Sequence, residues 1–145
     1  MHKSLVALTA ALALTFGGGA FAADAMSKDA YKDAKNKIED QAKADKKACD
    51  AMKENAKDIC QAEAKAKEKI AKAELDAQRK PGAKADEKVK LMKAEGEYEV
   101  AKEKCEDQKA EAMMACKKDA KMGYDKVKAD IKQASAKPKA AEKKS

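Results

Sequence analysis

From Ser27 onward the apolar residues recur every three to four positions, the spacing that gathers side chains on one face of a helix. One row runs through Tyr31, Ile38, Asp45, Met52, Ile59, Ala66 and Ala73. Its companion runs through Lys35, Ala42, Cys49, Ala56, Glu63, Ile70 and Ala77. After residue 83 the same rhythm returns in Leu91, Ala94, Tyr98, Ala101, Cys105, Gln108, Ala112 and Ala115. Between the two periodic stretches stands Pro81-Gly82, the one Pro-Gly dipeptide after the N-terminal segment and a strong turn signal. The pattern predicts an all-α chain, a long antiparallel two-helix hairpin turning at Pro81-Gly82. Helix 1 is expected from about Ser27, its N-cap, to about Lys80, and helix 2 from about Ala83 to about Ala134.

The first residues are of another kind. His2 and Lys3 precede an apolar run from Leu5 to Phe16, then Gly17-Gly18-Gly19 and Ala20-Phe21-Ala22. A short basic start, an apolar run and an A-x-A pattern make residues 1–22 read as a secretory signal peptide. No cysteine follows closely enough to carry a lipid, and no stable membrane span is expected once the segment is removed. The chain is then expected in the periplasm or outside the cell.

Composition sharpens the helical reading. Of 145 residues, 41% are charged and 3% aromatic, with no tryptophan. Ala, Lys, Glu and Gln are strong helix formers, but such a chain cannot bury a thick core. Removing residues 1–22 takes away one lysine and no acid, leaving 32 basic against 26 acidic residues, a net +6. Five lysines and one glutamate between Lys132 and Ser145 place +4 of that in the tail. Residues 135–145, containing Lys137-Pro138-Lys139, are expected to be a flexible basic tail. Lys132, Lys137, Lys139, Lys143 and Lys144 are candidates for contacting anionic lipid or polysaccharide. Export argues against nucleic acid as the partner.

The four cysteines form two identical gaps: ten residues separate Cys49 from Cys60 and Cys105 from Cys116. In an exported chain an even set means disulfides before metal. Along an unbroken helix eleven positions span about 16 Å, too far for one bond. Continuous helices therefore predict bonds between arms. The antiparallel pairs Cys49–Cys116 and Cys60–Cys105 share one register, whose midpoint falls on the Pro81-Gly82 turn. That register sets Ile38 against Val127, Met52 against Met113 and Ala42 against Gly123, where glycine lets the backbones close. Alanine and interrupting charges make the seam thin, so each bond, closing a long loop, is expected to add roughly 4 kcal/mol.

Cys49 and Cys105 stand 56 residues apart, and Lys46 matches Lys102 in the same offset, so the chain also reads as a duplicated unit. Other chemistry is sparse. Two cysteine levels about 16 Å apart cannot form a four-cysteine zinc site. Met52, Met113 and Met114 could offer thioethers to copper, but they read as packing. No histidine follows His2 and no phosphate loop is present. No cofactor and no catalytic residue are expected. Glu95, Glu99, Glu103, Asp107 and Glu111 make an acidic stripe at four-residue spacing, a solvated face or a docking stripe for a basic partner.

Tyr31-Lys32-Asp33-Ala34-Lys35, Cys49-Asp50-Ala51, Ile59-Cys60-Gln61-Ala62-Glu63-Ala64-Lys65-Ala66 and Tyr98-Glu99-Val100-Ala101-Lys102-Glu103-Lys104-Cys105 carry a resemblance. They resemble small exported Ala/Lys-rich proteins of proteobacteria, TolA-like proteins associated with cell-envelope biogenesis. The likeness covers most of residues 31–131. It implies a helical envelope protein, though the chain has no room for the C-terminal globular domain of TolA itself. The paired cysteines also resemble mitochondrial twin-cysteine hairpins, with different gaps and targeting. The reading is a non-enzymatic spacer, scaffold or adaptor in the envelope, with an envelope protein, an anionic surface or a second copy as partner. Two further readings are a module binding anionic polymers or lipids through the tail, and a holdase-like stress protein.

Overall fold

The computed structural model describes residues 26–136, so the expected signal segment and the basic residues from 137 onward lie outside the described residues. Four helices fill that range: α1 (Lys28–Cys49), α2 (Glu54–Arg79), α3 (Ala83–Cys105) and α4 (Ala110–Ala136). No strand occurs among the described residues. The all-α class is as the periodicity indicates, but the two long helices are not. Each is broken near its middle, and the hairpin becomes an up-down-up-down zigzag.

The N-terminus follows local chemistry. Ser27 takes extended dihedrals and its Oγ accepts a hydrogen bond from the Ala30 N–H at 3.1 Å, satisfying one orphan donor of the first turn. At the other end α4 runs through Ser135 and Ala136, two residues expected in the tail. The Ser135 hydroxyl has two acceptors in reach of its one proton, Glu87 Oε1 at 2.6 Å and the Ile131 carbonyl at 2.9 Å, and the first links that last turn to α3.

Helices that are neighbours in sequence are neighbours in space: α1 packs on α2, α2 on α3 and α3 on α4, while α1 does not meet α4. The register that set Ile38 against Val127, Met52 against Met113 and Ala42 against Gly123 is therefore corrected. Those pairs lie on α1 or its linker and on α4, which are apart. The central pair does turn at residues 80–82. Lys80 carries φ −136° and Gly82 φ +150°, a value that favours glycine. Across this turn Lys69 lies opposite Glu95 and Lys88 opposite Asp76.

The close backbone approach belongs to a different glycine. A Cβ at Gly96 would lie 2.8 Å from Ala66 Cβ and 3.5 Å from Ile70 Cδ1, whereas one at Gly123 would meet nothing within 4 Å. Gly96 is the notch that lets α3 settle on α2.

The core is thin, as the composition requires. Its buried apolar members are Ala42, Cys49, Ala64, Ala66, Ala73, Leu75, Ala94 and Cys105. Leu75 is the only large aliphatic side chain among them, and α4 buries none. A core of alanines confers little hydrophobic free energy per helical turn, because each methyl removes little area from water. Covalent staples and interhelical polar contacts make up the difference.

Candidate functional site: the stapled end and its charged cleft

The break between α1 and α2 is Asp50-Ala51-Met52-Lys53, and that between α3 and α4 is Glu106-Asp107-Gln108-Lys109. Each four-residue linker reverses the chain, and each reversal is closed by a disulfide. The bonds are Cys49–Cys60 and Cys105–Cys116, with Cα atoms 5.6 and 5.7 Å apart. This corrects the expected pairing of Cys49 with Cys116 and Cys60 with Cys105. The physical reason is the linker. An eleven-residue separation is about 16 Å along one helix, but it is one disulfide span once four of those residues form a turn. Each loop is short, so a bond contributes roughly 3 kcal/mol through the unfolded chain instead of the larger value for a long loop. Cys49 and Cys105 are wholly buried. Because successive helices are antiparallel, both staples lie at one end of the molecule, opposite the Lys80–Gly82 turn. Tryptic peptide mapping of the oxidised protein is expected to recover the 49–60 and 105–116 bonds. Recovery of bonds between the two halves of the chain is the contrary result.

Each staple has an ion pair across its turn. Lys57 reaches Asp50 at 3.0 Å in the first, and Lys117 contacts Glu106 in the second. Asn55 Nδ2 donates to the Glu103 carbonyl at 2.8 Å, tying the start of α2 to the end of α3.

Below the staples the duplicated halves diverge in an instructive way. In the first half Glu68 on α2 accepts from Lys46 on α1 at 2.6 Å and from Lys72 at 2.8 Å, and Lys72 also reaches Glu39 at 3.1 Å. In the second half the equivalents of the two lysines are Lys102 and Lys128, each 56 positions on. The equivalents of Ala42 and Glu68 are Tyr98 and Tyr124. Those two rings stack with centroids 5.4 Å apart and planes 8° from parallel. Lys102 lies 5.4 Å from the Tyr98 centroid and Lys128 5.0 Å from that of Tyr124. In the first half one carboxylate bridges the paired lysines; in the second each lysine keeps its own, Glu99 at 3.2 Å and Asp125 at 3.8 Å, and also lies over an aromatic face, a cation–π arrangement.

The Lys46 hydrogen bond, followed by that of Lys72, holds the Glu68 carboxyl down to about 2. A carboxyl whose folded value lies below its unfolded one stabilises at neutral pH, and that stabilisation is lost as pH falls from about 5 toward 2. Its lysines are partly exposed, which screens the gain, so the contribution is about 1 kcal/mol. Glu68→Gln is expected to lower stability at pH 7 by that amount and to leave stability at pH 2 nearly unchanged. Urea titrations of both proteins at the two pH values check this.

At the far end Tyr31 donates its hydroxyl to Asp76 at 2.7 Å while the Arg79 guanidinium lies 4.5 Å from the ring centroid. Lys88 donates to the other Asp76 oxygen at 2.7 Å. The Lys88 and Tyr31 hydrogen bonds lower the Asp76 value, and the hydrogen bond to Asp76 raises that of Tyr31.

An open cleft of about 730 Å³ lies beside the first staple. Lys43, Lys46 and Lys47 of α1 line one wall, Asp58, Gln61 and Lys65 of α2 the floor, and Glu99 and Glu103 of α3 the other wall. The expected acidic stripe does not form one face. Glu95, Glu99 and Glu103 lie on α3, Asp107 in the linker and Glu111 on α4. Glu95 accepts from Lys69 at 2.6 Å, which raises the Lys69 value, and Glu99 pairs with Lys102. Of the tail lysines, Lys132 is exposed on α4, and Lys137, Lys139, Lys143 and Lys144 lie outside the described residues. Among the described residues no group of three or more His, Cys, Asp or Glu side chains converges as a metal site would require. Nor is any helix among them long and apolar enough to cross a membrane.

The fold and its bonds make an all-helical protein of two helix–linker–helix halves, each closed by one disulfide. Comparison with protein-family models, curated proteins and solved structures gave no match.

Proposed function

We propose that the chain is a non-enzymatic helical protein of the cell envelope, acting as a spacer, scaffold or adaptor. The observation that carries the reading is the pair of staples on a core of alanines. A fold that leans on disulfides needs a compartment that keeps them oxidised. An N-terminal segment of export type agrees with that placement, as does the resemblance to TolA-like envelope proteins. Charged helical faces and an open cleft of mixed sign suit docking between proteins better than enclosure of a small molecule. Cross-linking in intact cells, followed by fractionation and mass spectrometry, tests the proposal. Recovery of the oxidised chain outside the cytoplasm, joined to envelope proteins, supports it. Recovery from the cytoplasm with free thiols overturns it.

A second reading rests on charge distribution, since +4 of the net +6 after residue 22 lies between Lys132 and Ser145. In that reading the tail holds the protein to an anionic polymer or lipid surface. Retention on vesicles containing phosphatidylglycerol, weakened by salt and lost on deletion of residues 132–145, distinguishes it from docking through the helices.

A further inference from the structure

The two kinds of turn in this fold differ in what makes them turn. Lys80-Pro81-Gly82 reverses the chain through its own sequence, with a proline and a glycine at φ +150°. The linkers 50–53 and 106–109 contain neither residue. They are Asp-Ala-Met-Lys and Glu-Asp-Gln-Lys, none of which stops a helix by steric rule. Their backbones remain partly helical. Asp50, Ala51 and Met52 donate N–H bonds to residues three positions back at 3.1, 3.4 and 3.0 Å, and Glu106 and Gln108 do so at 3.0 Å each. Two residues where the first linker meets α2 depart clearly from helical dihedrals. Lys53 is extended, at φ −124° and ψ 155°, and Glu54 carries φ +51°. Glu54 is the only non-glycine with positive φ among the described residues, a conformation unfavourable for a glutamate.

What opposes straightening is limited. Between α1 and α2 it comprises the disulfide, a core of few and mostly small side chains, ion pairs with partly exposed partners, and the Tyr31 hydroxyl on Asp76 with Arg79 over its ring. Such ion pairs are individually weak. We infer that the Cys49–Cys60 bond is a conformational latch. Reduction releases the bend at 50–54, and α1 and α2 join into one continuous helix. The same logic applies to Cys105–Cys116, where the stacked tyrosines add a restraint the first half lacks. The step is a thiol–disulfide exchange with a dithiol. The reductant gives two electrons and two protons, its own sulfurs become a disulfide, and Cys49 and Cys60 become thiols. The latch is therefore readable by a dithiol oxidoreductase and converts redox state into molecular length.

The test uses the full chain with a donor and an acceptor fluorophore on unnatural residues replacing Lys32 and Lys80, both exposed. Oxidised, these sites lie at the same end of the molecule, where Tyr31 meets Asp76. After reduction with tris(2-carboxyethyl)phosphine, 48 intervening steps of about 1.5 Å place them about 70 Å apart. Energy transfer is expected to fall several-fold while helical circular dichroism is kept or rises. Cys49→Ser/Cys60→Ser is expected to behave as the reduced protein without any reductant. Ala51→Gly/Met52→Gly, which disfavours helix through the linker because glycine is a poor helix former, is expected to keep more transfer after reduction. Unchanged transfer on reduction overturns the inference. So does loss of transfer together with helical signal, which reports unfolding, and so does equal extension of the glycine variant.

Discussion

Leu75→Ala is expected to cost about 3 kcal/mol, an effect out of proportion to one side chain in a molecule of this length. The reason is scarcity. Leu75 is 5% exposed and is the only large aliphatic group in the buried set; the others are alanines and half-cystines. Truncating it forfeits the transfer free energy of its methyl groups and leaves a void between helices. For a domain of this size the loss corresponds to roughly 10 °C or more in Tm. Thermal unfolding under oxidising conditions, with both staples intact, measures it. A shift of only a degree or two would mean that alanine packing, not Leu75, anchors the end of α2.

The second large effect is Gly96→Leu, expected to destabilise by about 2–3 kcal/mol through overpacking. The first atom of any side chain there would meet Ala66 Cβ at 2.8 Å, and the neighbour is another short side chain on a helix backbone, with no flexible end to swing aside. The two central helices have to part, which also stretches Lys69–Glu95 and Lys93–Glu74, at 2.6 and 2.8 Å. Gly123→Ala should go the other way. That glycine is helical, exposed and meets nothing, so alanine is expected to gain about 1 kcal/mol from propensity alone. Opposite signs for two glycine substitutions, read by the same urea titration, place the close approach on the α2–α3 pair.

Much of this fold was legible before any coordinates. The apolar period gave helices, Ser27 gave the first cap, and the duplication was visible in the cysteine offset. Around the turn the position of the reversal was also legible, but Glu95 was read as part of a solvated or docking stripe, whereas it faces Lys69. What stayed hidden was the pair of interior breaks. Asp50 to Lys53 and Glu106 to Lys109 carry no glycine or proline, so nothing in their own residue types announces a break. Assuming continuity then excluded the correct bonds and produced a register for α1 and α4 that those helices never share. One signal pointed the other way. If a unit is duplicated, its cross-link belongs within each copy, and ten intervening residues suit a helix, a tight turn and a helix. The carboxylate between Lys46 and Lys72 and the tyrosine stack that replaces it were out of reach of periodicity. They depend on which faces meet after the bends, and composition says nothing of that.

Both covalent clamps sit at one pole, and this gives the molecule a gradient of opening. Fluctuations that part α1 from α2 and α4 from α3 must begin at the opposite pole, where polar contacts of Tyr31 with Asp76 and Arg79, and of Ser135 with Glu87, hold the ends together. Amide protons of residues 30–36 and 130–136 should therefore exchange with deuterium ahead of those beside Cys60 and Cys105, as a bundle tied at one end splays from the other.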